Sequence, residues 1–439
     1  MTDATEKTAD ASAADLTKLR QWLLQRVSQG LEANGGQPSP ADVRQHLAKA
    51  FEEAGAGLSD GLKRQLERDI VNELLGYGPI QQLLDDPTVS EIMINGCDRV
   101  FIERQGRLEQ TSIRFANDET LIRLIDRIIL PLGRRIDGDN PTVDARLPDG
   151  SRVNAVIPPV ALDGPSLTIR KFAKERLMVE NLVSLGSINE HMATFLEACV
   201  VSRLNVVVSG GTGSGKTTLL NILSEFIPEG ERLVTIEDSA ELQLHHSNIV
   251  RLETKPANVD GTGEVPIRHL VRNSLRMRPD RIVVGEVRGG EAVDMLQAMN
   301  TGHDGSLTTV HANSPRDAAS RLETLCLMSG IELPLRVVRE QIASAVDVII
   351  QQSRMRDGSR KVTSITEVLG MEGDTIVMSE LFRFDETGIG QDGKVIGAHK
   401  ATGIRPMFGP RLEAAGFKLG PEVFGATEMS YRTANGGRR

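Results

Sequence analysis

The chain has 439 residues, a formal net charge of −9, and 39% hydrophobic but only 3% aromatic residues. This length predicts about three domains, whose cores must be mainly aliphatic. The acidic balance argues against a general nucleic-acid-binding protein, which usually carries a basic footprint, and against direct electrostatic docking on an anionic membrane.

The cysteine positions indicate a reducing compartment, and the apolar segments are too short to indicate secretion or membrane insertion. Three cysteines lie far apart at positions 97, 199 and 326, which fits neither a disulfide framework nor a zinc-binding spacing. The N-terminal residues are polar and lack the apolar segment of a signal peptide, and no run of 18 apolar residues occurs. We therefore expect a cytoplasmic protein.

The first 76 residues predict a tail and a small helical module. Residues 1–14 are polar and are expected to be disordered. Apolar residues then recur at helical spacing in three groups, separated by glycine-containing segments at 35–38 and 55–57, so residues 15–76 predict three amphipathic helices. The same pattern is typical of a packing or spacer element, and it assigns no function to the module.

Residues 77–172 predict an α+β domain. Alternating apolar residues at 90–95 indicate a strand, and two strand pairs flank turns at 104–107 and 148–150. The second strand of the first pair is expected to continue to residue 115. A helix with an apolar stripe is expected between the two pairs, and a further strand follows the second.

Residues 173–425 predict a second, larger domain. The segment 173–203 is mostly helical, and beyond it short apolar runs alternate with helical segments. That alternation predicts a mainly parallel sheet covered on both faces. Residues 371–384 predict a C-terminal β-hairpin, and residues 426–439 predict a loose tail. The strand-like runs are 204–209, 232–236, 248–252, 281–284, 306–310 and 346–350.

One segment of this domain fits the phosphate-loop pattern G-x-x-x-x-G-K-[ST]. It follows an apolar run and precedes a helical segment, which is the context that such a loop requires. Its glycines let backbone N–H groups close around phosphate oxygens, and the helix N-terminus favours an anion. Lys216 is expected to reach the β- and γ-phosphates, and the Thr217 hydroxyl is expected to ligate Mg²⁺. The predicted nucleotide-binding residues are Gly210, Gly211, Thr212, Gly213, Ser214, Gly215, Lys216, Thr217 and Thr218.

Acidic and histidine side chains follow three other predicted strands of this domain. Ligands of open α/β sheets sit beyond the carboxyl ends of the strands, so these side chains are expected to converge on the nucleotide. Glu286 fits a Walker-B acid that holds Mg²⁺ through water or orients the attacking water. Glu237 could polarise water while Asp238 supports Mg²⁺, and His311 could hydrogen-bond the γ-phosphate. His303 is a further candidate; the alternative for each is an ordinary side chain at a strand end.

Phosphoryl transfer also requires a positive group that stabilises the transition state. Arg146, Arg152 and Arg170 lie on or near strands of the α+β domain, and Arg134 and Arg135 form a further pair. A surface role is the default for any one of them. The residue pattern does not say which of them faces the nucleotide.

Together these segments resemble the type II/type IV secretion ATPases. Residues 235–238 are similar to the Asp box of that family, 281–288 to its Walker B and 301–313 to its His box. The resemblance covers residues 75–424. Runs that resemble one branch, the CpaF/TadA-like ATPases of the tight-adherence (Tad, Flp) pilus, are found at 144–157, 237–242, 276–280, 370–374 and 381–384.

The resemblance implies an α/β protein in which a RecA-like P-loop ATPase domain is preceded by a PAS-like α+β domain and an N-terminal helical module. It implies that nucleotide lies between the two domains and near the next subunit, with Arg152 and Arg170 at the γ-phosphate. It also implies Glu286 as the catalytic or Walker-B acid, Glu237 as the Asp-box acid and His311 as the His-box sensor. Position 286 carries glutamate where many triphosphatases have aspartate, which leaves open whether Glu237 or Glu286 activates water.

The resemblance further implies a cytoplasmic ATP hydrolase that uses ATP and Mg²⁺ and forms a homohexamer. It would associate peripherally with the inner membrane through pilus platform proteins and power assembly, with or without retraction, of a Tad/Flp-type type IV pilus. No direct contact with nucleic acid is expected. Two alternatives stay open: a protein-secretion or conjugative DNA-transfer ATPase of the same superfamily, and a nucleotide-gated scaffold without turnover.

Overall fold

A computed structural model describes most of the chain. The described residues are 13–32, 39–54, 58–104, 106–172, 177–257 and 261–425. The predicted tails therefore lie outside the described residues, apart from positions 13 and 14. The chain divides into two compact units, Met1–Lys174 and Glu175–Arg439. Within the described ranges, no helix combines the length and the apolar character needed to cross a bilayer.

The predicted N-terminal helical module is present. Its helices are α1 (Ala13–Glu32), α2 (Pro40–Ala54) and α3 (Asp60–Leu75). Apolar residues at helical spacing on all three form one core, which includes Leu23, Leu47 and Ile70. The pattern predicted these helices because each needs an apolar face to pack against the other two.

The rest of the first unit is an antiparallel sheet with helices. The elements are α4 (Gln81–Asp85), β1 (Val89–Asn95), β2 (Arg99–Arg104), β3 (Arg107–Gln110), α5 (Asp118–Ile129), β4 (Thr142–Arg146), β5 (Arg152–Val156) and β6 (Ser166–Arg170). The strand order is β3-β2-β1-β6-β5-β4, and both predicted strand pairs are hairpins. The expectation that β3 continues to residue 115 is wrong. All four β3 residues are exposed at the sheet edge, so no core face extends the strand.

The second unit alternates strands and helices before a final meander. It contains α6 (Val179–Ser184), α7 (Glu190–Val201), β7 (Val206–Gly210), α8 (Lys216–Ser224), β8 (Leu233–Glu237), β9 (Ile249–Glu253), α9 (Ile267–Ser274), β10 (Arg281–Val284), α10 (Glu291–Asn300), β11 (Leu307–His311), α11 (Pro315–Leu327), α12 (Leu335–Ala345), β12 (Val348–Arg354), β13 (Arg360–Glu372), β14 (Thr375–Ile389), β15 (Val395–Ala401) and α13 (Gly409–Ala414).

A single sheet organises this unit, with order β15-β14-β13-β12-β7-β11-β10-β8-β9. The strands from β12 to β9 are parallel, and β13, β14 and β15 extend the sheet antiparallel. One hydrophobic core lies on each face of the sheet. The predicted fold class is confirmed: in chain order, a helical module and an α+β domain precede an α/β domain of RecA-like type.

Candidate functional site

The parallel pairing brings the predicted site residues of the second unit to one edge of its sheet, the edge formed by the carboxyl ends of the parallel strands. β7, β11, β10 and β8 are consecutive neighbours, so their carboxyl ends lie side by side. His311, the last residue of β11, is in register with Gly210, the last residue of β7. Glu237 ends β8, and Glu286 follows β10 by two residues. His303 precedes β11 and therefore belongs to the opposite edge, so the structure does not bring it to this group.

The phosphate loop connects the buried strand β7 to α8. Gly213 and Gly215 adopt left-handed φ angles of +69° and +94°, which L side chains rarely adopt. A Cβ at Gly210 would lie 2.4 Å from the Gln352 carbonyl oxygen and 2.5 Å from Ser214 Oγ. The loop therefore needs glycine at all three positions. Its backbone precedes the first turn of α8, where unpaired N–H groups and the helix dipole favour a phosphate.

The polar side chains of the loop are suited to an anionic ligand. Lys216 Nζ donates to the Gly211 carbonyl oxygen at 3.1 Å. Burial lowers the pKa of Lys216, and the Glu286 carboxylate opposes this shift. The buried Ser214 hydroxyl has no hydrogen-bond partner among the described residues. Thr217 is half-buried in the first turn of α8 and Thr218 is exposed beside it.

Arg288 joins two of the predicted acids. Its Nη2 and Nε donate to Glu286 Oε2 at 2.6 and 2.9 Å, and its Nη1 donates to Asp238 Oδ2 at 3.3 Å. The backbone N–H of Arg288 donates to Glu291 Oε1 at 2.7 Å, which fixes the turn into α10. This bridge between two acids was not predicted from the sequence, although the position of Arg288 two residues after Glu286 is a usable signal.

Glu237 has a different environment from Glu286. Its side chain is only 3% exposed, and its Oε1 accepts the backbone N–H groups of Glu241 and Leu242 at 2.9 Å each. Burial raises the pKa of Glu237 to about 7, although the two N–H groups oppose the shift. Gly285 leaves room for it, since a Cβ there would lie 2.9 Å from Glu237 Cγ. Glu237 therefore holds the loop after β8 in shape.

Mg²⁺ at this edge would need ligands beyond the protein. In the described part of the chain, no group of three or more His, Cys, Asp or Glu side chains is arranged to hold a metal ion. The predicted ligands are the hydroxyl of Thr217 and the carboxylates of Asp238 and Glu286, and they fit this requirement because Mg²⁺ commonly binds one or two carboxylates together with substrate phosphates and water.

The predicted arginines belong to the first unit. Arg152 of β5 is in register with Arg170 of β6 and with Arg146 of β4. Arg170 is also in register with Glu91 of β1, so an acid stands at one end of a row of three guanidinium-bearing positions. Residues in register on neighbouring strands point to the same side, so these four positions share one face of the sheet.

The pair Arg134 and Arg135 lies after α5 and makes local contacts. Arg134 Nη1 donates to the Asp144 carbonyl oxygen, and Arg135 forms an ion pair with Asp137 at 2.8 Å. These contacts give both side chains a structural role in the loop that leads to β4.

Three residues near the phosphate loop were not predicted. Gln352 and Arg354 lie in the last three residues of β12, and Arg360 begins β13. Residue 352 is in register with Gly210, so the β12–β13 hairpin stands beside the loop. The apolar run at 346–350 predicted the strand, but the polar residues that extend it carried no apolar signal.

Comparison with known proteins identifies the family. The sequence profile described as type II/IV secretion system protein matches residues 73–383. The chain belongs to this family. Its prediction as a P-loop ATPase of the secretion type is confirmed, whereas the Tad branch is not distinguished by these matches.

Relatives of this secretion ATPase include proteins named for conjugal transfer. A Mycobacterium tuberculosis protein so named is 39% identical, over 70% of this chain and 88% of its own length. The conjugal transfer protein TrbB of Rhizobium radiobacter is 38% identical, over 66% of this chain and 86% of its own. Among solved structures, the VirB11 ATPase of the Brucella suis type IV secretion system is 32% identical, over 65% of this chain and 94% of its own, with a TM-score of 0.37.

Proposed function

We propose that this chain is a cytoplasmic, ring-forming ATP hydrolase, a homohexamer, that drives assembly of a Tad/Flp-type type IV pilus. The observation that carries the ATP-hydrolase part of the proposal is the placement of the glycine-dependent loop with Lys216 beside the Glu286–Arg288–Asp238 group at one sheet edge. This arrangement supports a phosphate-binding loop with nearby acids that could serve Mg²⁺ and water. Its substrate is a nucleoside triphosphate, which we take to be ATP.

Glu286 is the acid that we assign to water activation. Its carboxylate meets a guanidinium at the sheet edge and its side chain is 24% exposed, so a water molecule can reach it. Glu237 is enclosed and its Oε1 already accepts two backbone N–H groups, which suits a residue that shapes the loop. Bound Mg²⁺ would neutralise charge on the phosphate oxygens. Thr217 and Asp238 are proposed as its ligands in addition to those oxygens. His311 is the proposed sensor of the γ-phosphate.

Arg152 and Arg170 are proposed to stabilise the transition state from the first unit. Their alignment across β5 and β6 presents two guanidinium-bearing positions together. Their charge would matter most as negative charge builds on the separating γ-phosphoryl group. We expect Arg152→Ala and Arg170→Ala each to lower turnover by about tenfold or more while ATP affinity falls modestly. Lysine at either position should restore little, because a point charge does not replace a planar fork.

The test measures ATP affinity and turnover for both variants in intact rings. Arg99→Ala, at an exposed position on β2 of the same sheet, is the matched control and should leave both quantities unchanged. Unchanged turnover after removal of both Arg152 and Arg170 would place the catalytic cation elsewhere, with Arg288 or Arg146 as the next candidates.

The pilus assignment rests on sequence runs and has one rival. The runs at 144–157, 237–242 and 276–280 support the Tad/Flp branch. The names of the relatives support conjugal transfer instead. Chromosomal replacement with Glu286→Gln should abolish surface pili and leave plasmid transfer unchanged. Loss of transfer with normal piliation would favour the rival.

A further inference from the structure

The β12–β13 hairpin contacts the phosphate loop from outside. Arg360 Nε donates to the Gly213 carbonyl oxygen at 3.2 Å. A Cβ at Gly215 would lie 3.1 Å from Arg360 Cδ, and one at Gly213 would lie 3.8 Å from Arg354 Nη1. The hairpin therefore brings two guanidinium groups to the loop, at the glycines with left-handed backbone.

Fixing the Gly213 carbonyl also fixes the next N–H group. In a planar trans peptide the carbonyl and the following N–H point in opposite directions. Since the Gly213 oxygen points outward to Arg360, the Ser214 N–H points into the loop. The Ser214 nitrogen lies 3.4 Å from the Gly211 carbonyl oxygen, which is a long hydrogen bond. A phosphate oxygen can replace that carbonyl as the acceptor. The same Gly211 oxygen accepts Lys216 Nζ, so both groups face the interior of the loop.

The hairpin is itself held in place. Asp357 at its tip accepts the Val395 N–H at 2.8 Å and the Ser359 N–H at 2.9 Å. Gln352 is 2% exposed, and its carbonyl oxygen limits position 210 to glycine. Arg360 therefore projects from a fixed support, which is the condition for a guanidinium to set the shape of a neighbouring loop.

We propose that Arg360 is a positioning residue for nucleotide binding. It holds the Gly213 peptide so that the loop N–H groups face the phosphates. The inference rests on nucleotide binding at this loop, not on hydrolysis or on the pilus assignment. Because the loop contacts phosphates that ADP and ATP share, loss of Arg360 should weaken both nucleotides equally. The proposed γ-phosphate residues Arg152 and Arg170 should affect only the triphosphate.

The experiment titrates ADP and the non-hydrolysable analogue AMP-PNP against the full-length chain. We expect Arg360→Ala to weaken both by about tenfold, the typical effect of losing one hydrogen bond from a charged donor. Arg360→Lys should restore part of this loss, since an ammonium group can also donate to the Gly213 carbonyl. Arg356→Ala, at an exposed position near the tip of the same hairpin, should bind as the wild type does.

Three results decide the proposal. Equal loss for both nucleotides with an unchanged melting temperature supports it. Unchanged affinity for both nucleotides in a folded Arg360→Ala variant overturns it. Loss confined to AMP-PNP also overturns it, because Arg360 would then act on the γ-phosphate and not through the loop. If Arg360→Ala does not fold, Arg360→Lys and Arg360→Gln provide the same comparison. Failure of the wild type to hydrolyse ATP leaves this binding test intact.

Discussion

Glu237 and Glu286 follow adjacent strands and meet different surroundings. The Glu286 carboxylate accepts a hydrogen bond from Arg288, whereas the Glu237 carboxylate is buried and accepts hydrogen bonds from two backbone N–H groups. Burial raises the pKa of Glu237 from 4.5 to about 7. Folding therefore favours the protonated form of this side chain, and ionising it in the folded protein costs free energy.

This shift predicts how stability depends on pH. The folded state binds more protons than the unfolded state between pH 4.5 and about 7, so this residue's contribution to stability falls as pH rises through that window. Glu237→Gln keeps an acceptor for the two N–H groups and removes the ionisation. Between pH 5 and pH 8 we expect the variant to gain about 2 kcal/mol in unfolding free energy relative to the wild type, since one pKa unit is about 1.4 kcal/mol.

Urea unfolding at pH 5 and pH 8 measures this difference. The control is Glu241→Gln, which changes a half-buried acid near Glu237. Its effect on the free energy of unfolding should differ much less between the two pH values. A Glu237→Gln effect that is the same at both pH values would show that Glu237 is ionised throughout.

Sequence predicts the residue types of the site better than their interactions. The phosphate loop is local, because its glycines, Lys216 and Thr217 belong to one continuous segment. The Arg288 bridge to Asp238 joins residues 50 positions apart, and the Arg360 contact with Gly213 joins residues 147 apart. Such contacts depend on strand order, which the pattern of a single sequence does not fix.

At the scale of elements, one buried arginine links the amino ends of the strands. Arg281 begins β10 and its side chain is fully buried. It donates to Glu231 Oε2 at 2.6 Å and Oε1 at 3.1 Å, and its Nη1 donates to the Gly305 carbonyl oxygen at 3.4 Å. The bridge thus connects the segment before β8 with the segment before β11.

Removing the charge of Glu231 should destabilise this edge of the sheet. Glu231→Gln leaves Arg281 buried without its counter-ion, and breaking a buried pair costs about 3 kcal/mol or more. The thermal midpoint of the variant should fall clearly, while nucleotide affinity of the folded protein stays unchanged because the phosphate loop lies at the opposite edge. The control Glu229→Gln changes an exposed acid two residues away. Equal midpoints for both variants would mean that the pair contributes little.

The elements themselves follow the sequence where burial is continuous. The short apolar runs correspond to β7 through β12, and all of these strands except the edge strand β9 are largely buried, because parallel strands covered on both faces must be apolar. The length and the number of the C-terminal antiparallel strands were underestimated. A hairpin at 371–384 was predicted, but β13 and β14 extend it to Arg360–Glu372 and Thr375–Ile389, and β15 adds a third strand. Bulges interrupt the alternation in these strands, and their outer residues are exposed, so the period-two signal is lost.

For the whole molecule, the proposal requires assembly. If arginines of the first unit act on nucleotide near a neighbouring subunit, an isolated chain lacks a complete site. Specific ATP hydrolysis should therefore rise with protein concentration through the range in which rings form. Activity measured on size-resolved fractions checks this. A monomer fraction with full specific activity would contradict the assembled site.

The most direct test of the central claim is Mg²⁺-dependent phosphate release from ATP by wild-type rings, compared with Glu286→Gln and Lys216→Ala. An amide at position 286 keeps the shape of the acid but cannot accept a proton, so turnover should fall at least ~10²-fold while AMP-PNP affinity is retained. Lys216→Ala should lose both affinity and turnover, since the positive group at the phosphates is removed. Hydrolysis that persists near the wild-type rate in Glu286→Gln, or intact wild-type rings that bind nucleotide without releasing phosphate, would contradict the account.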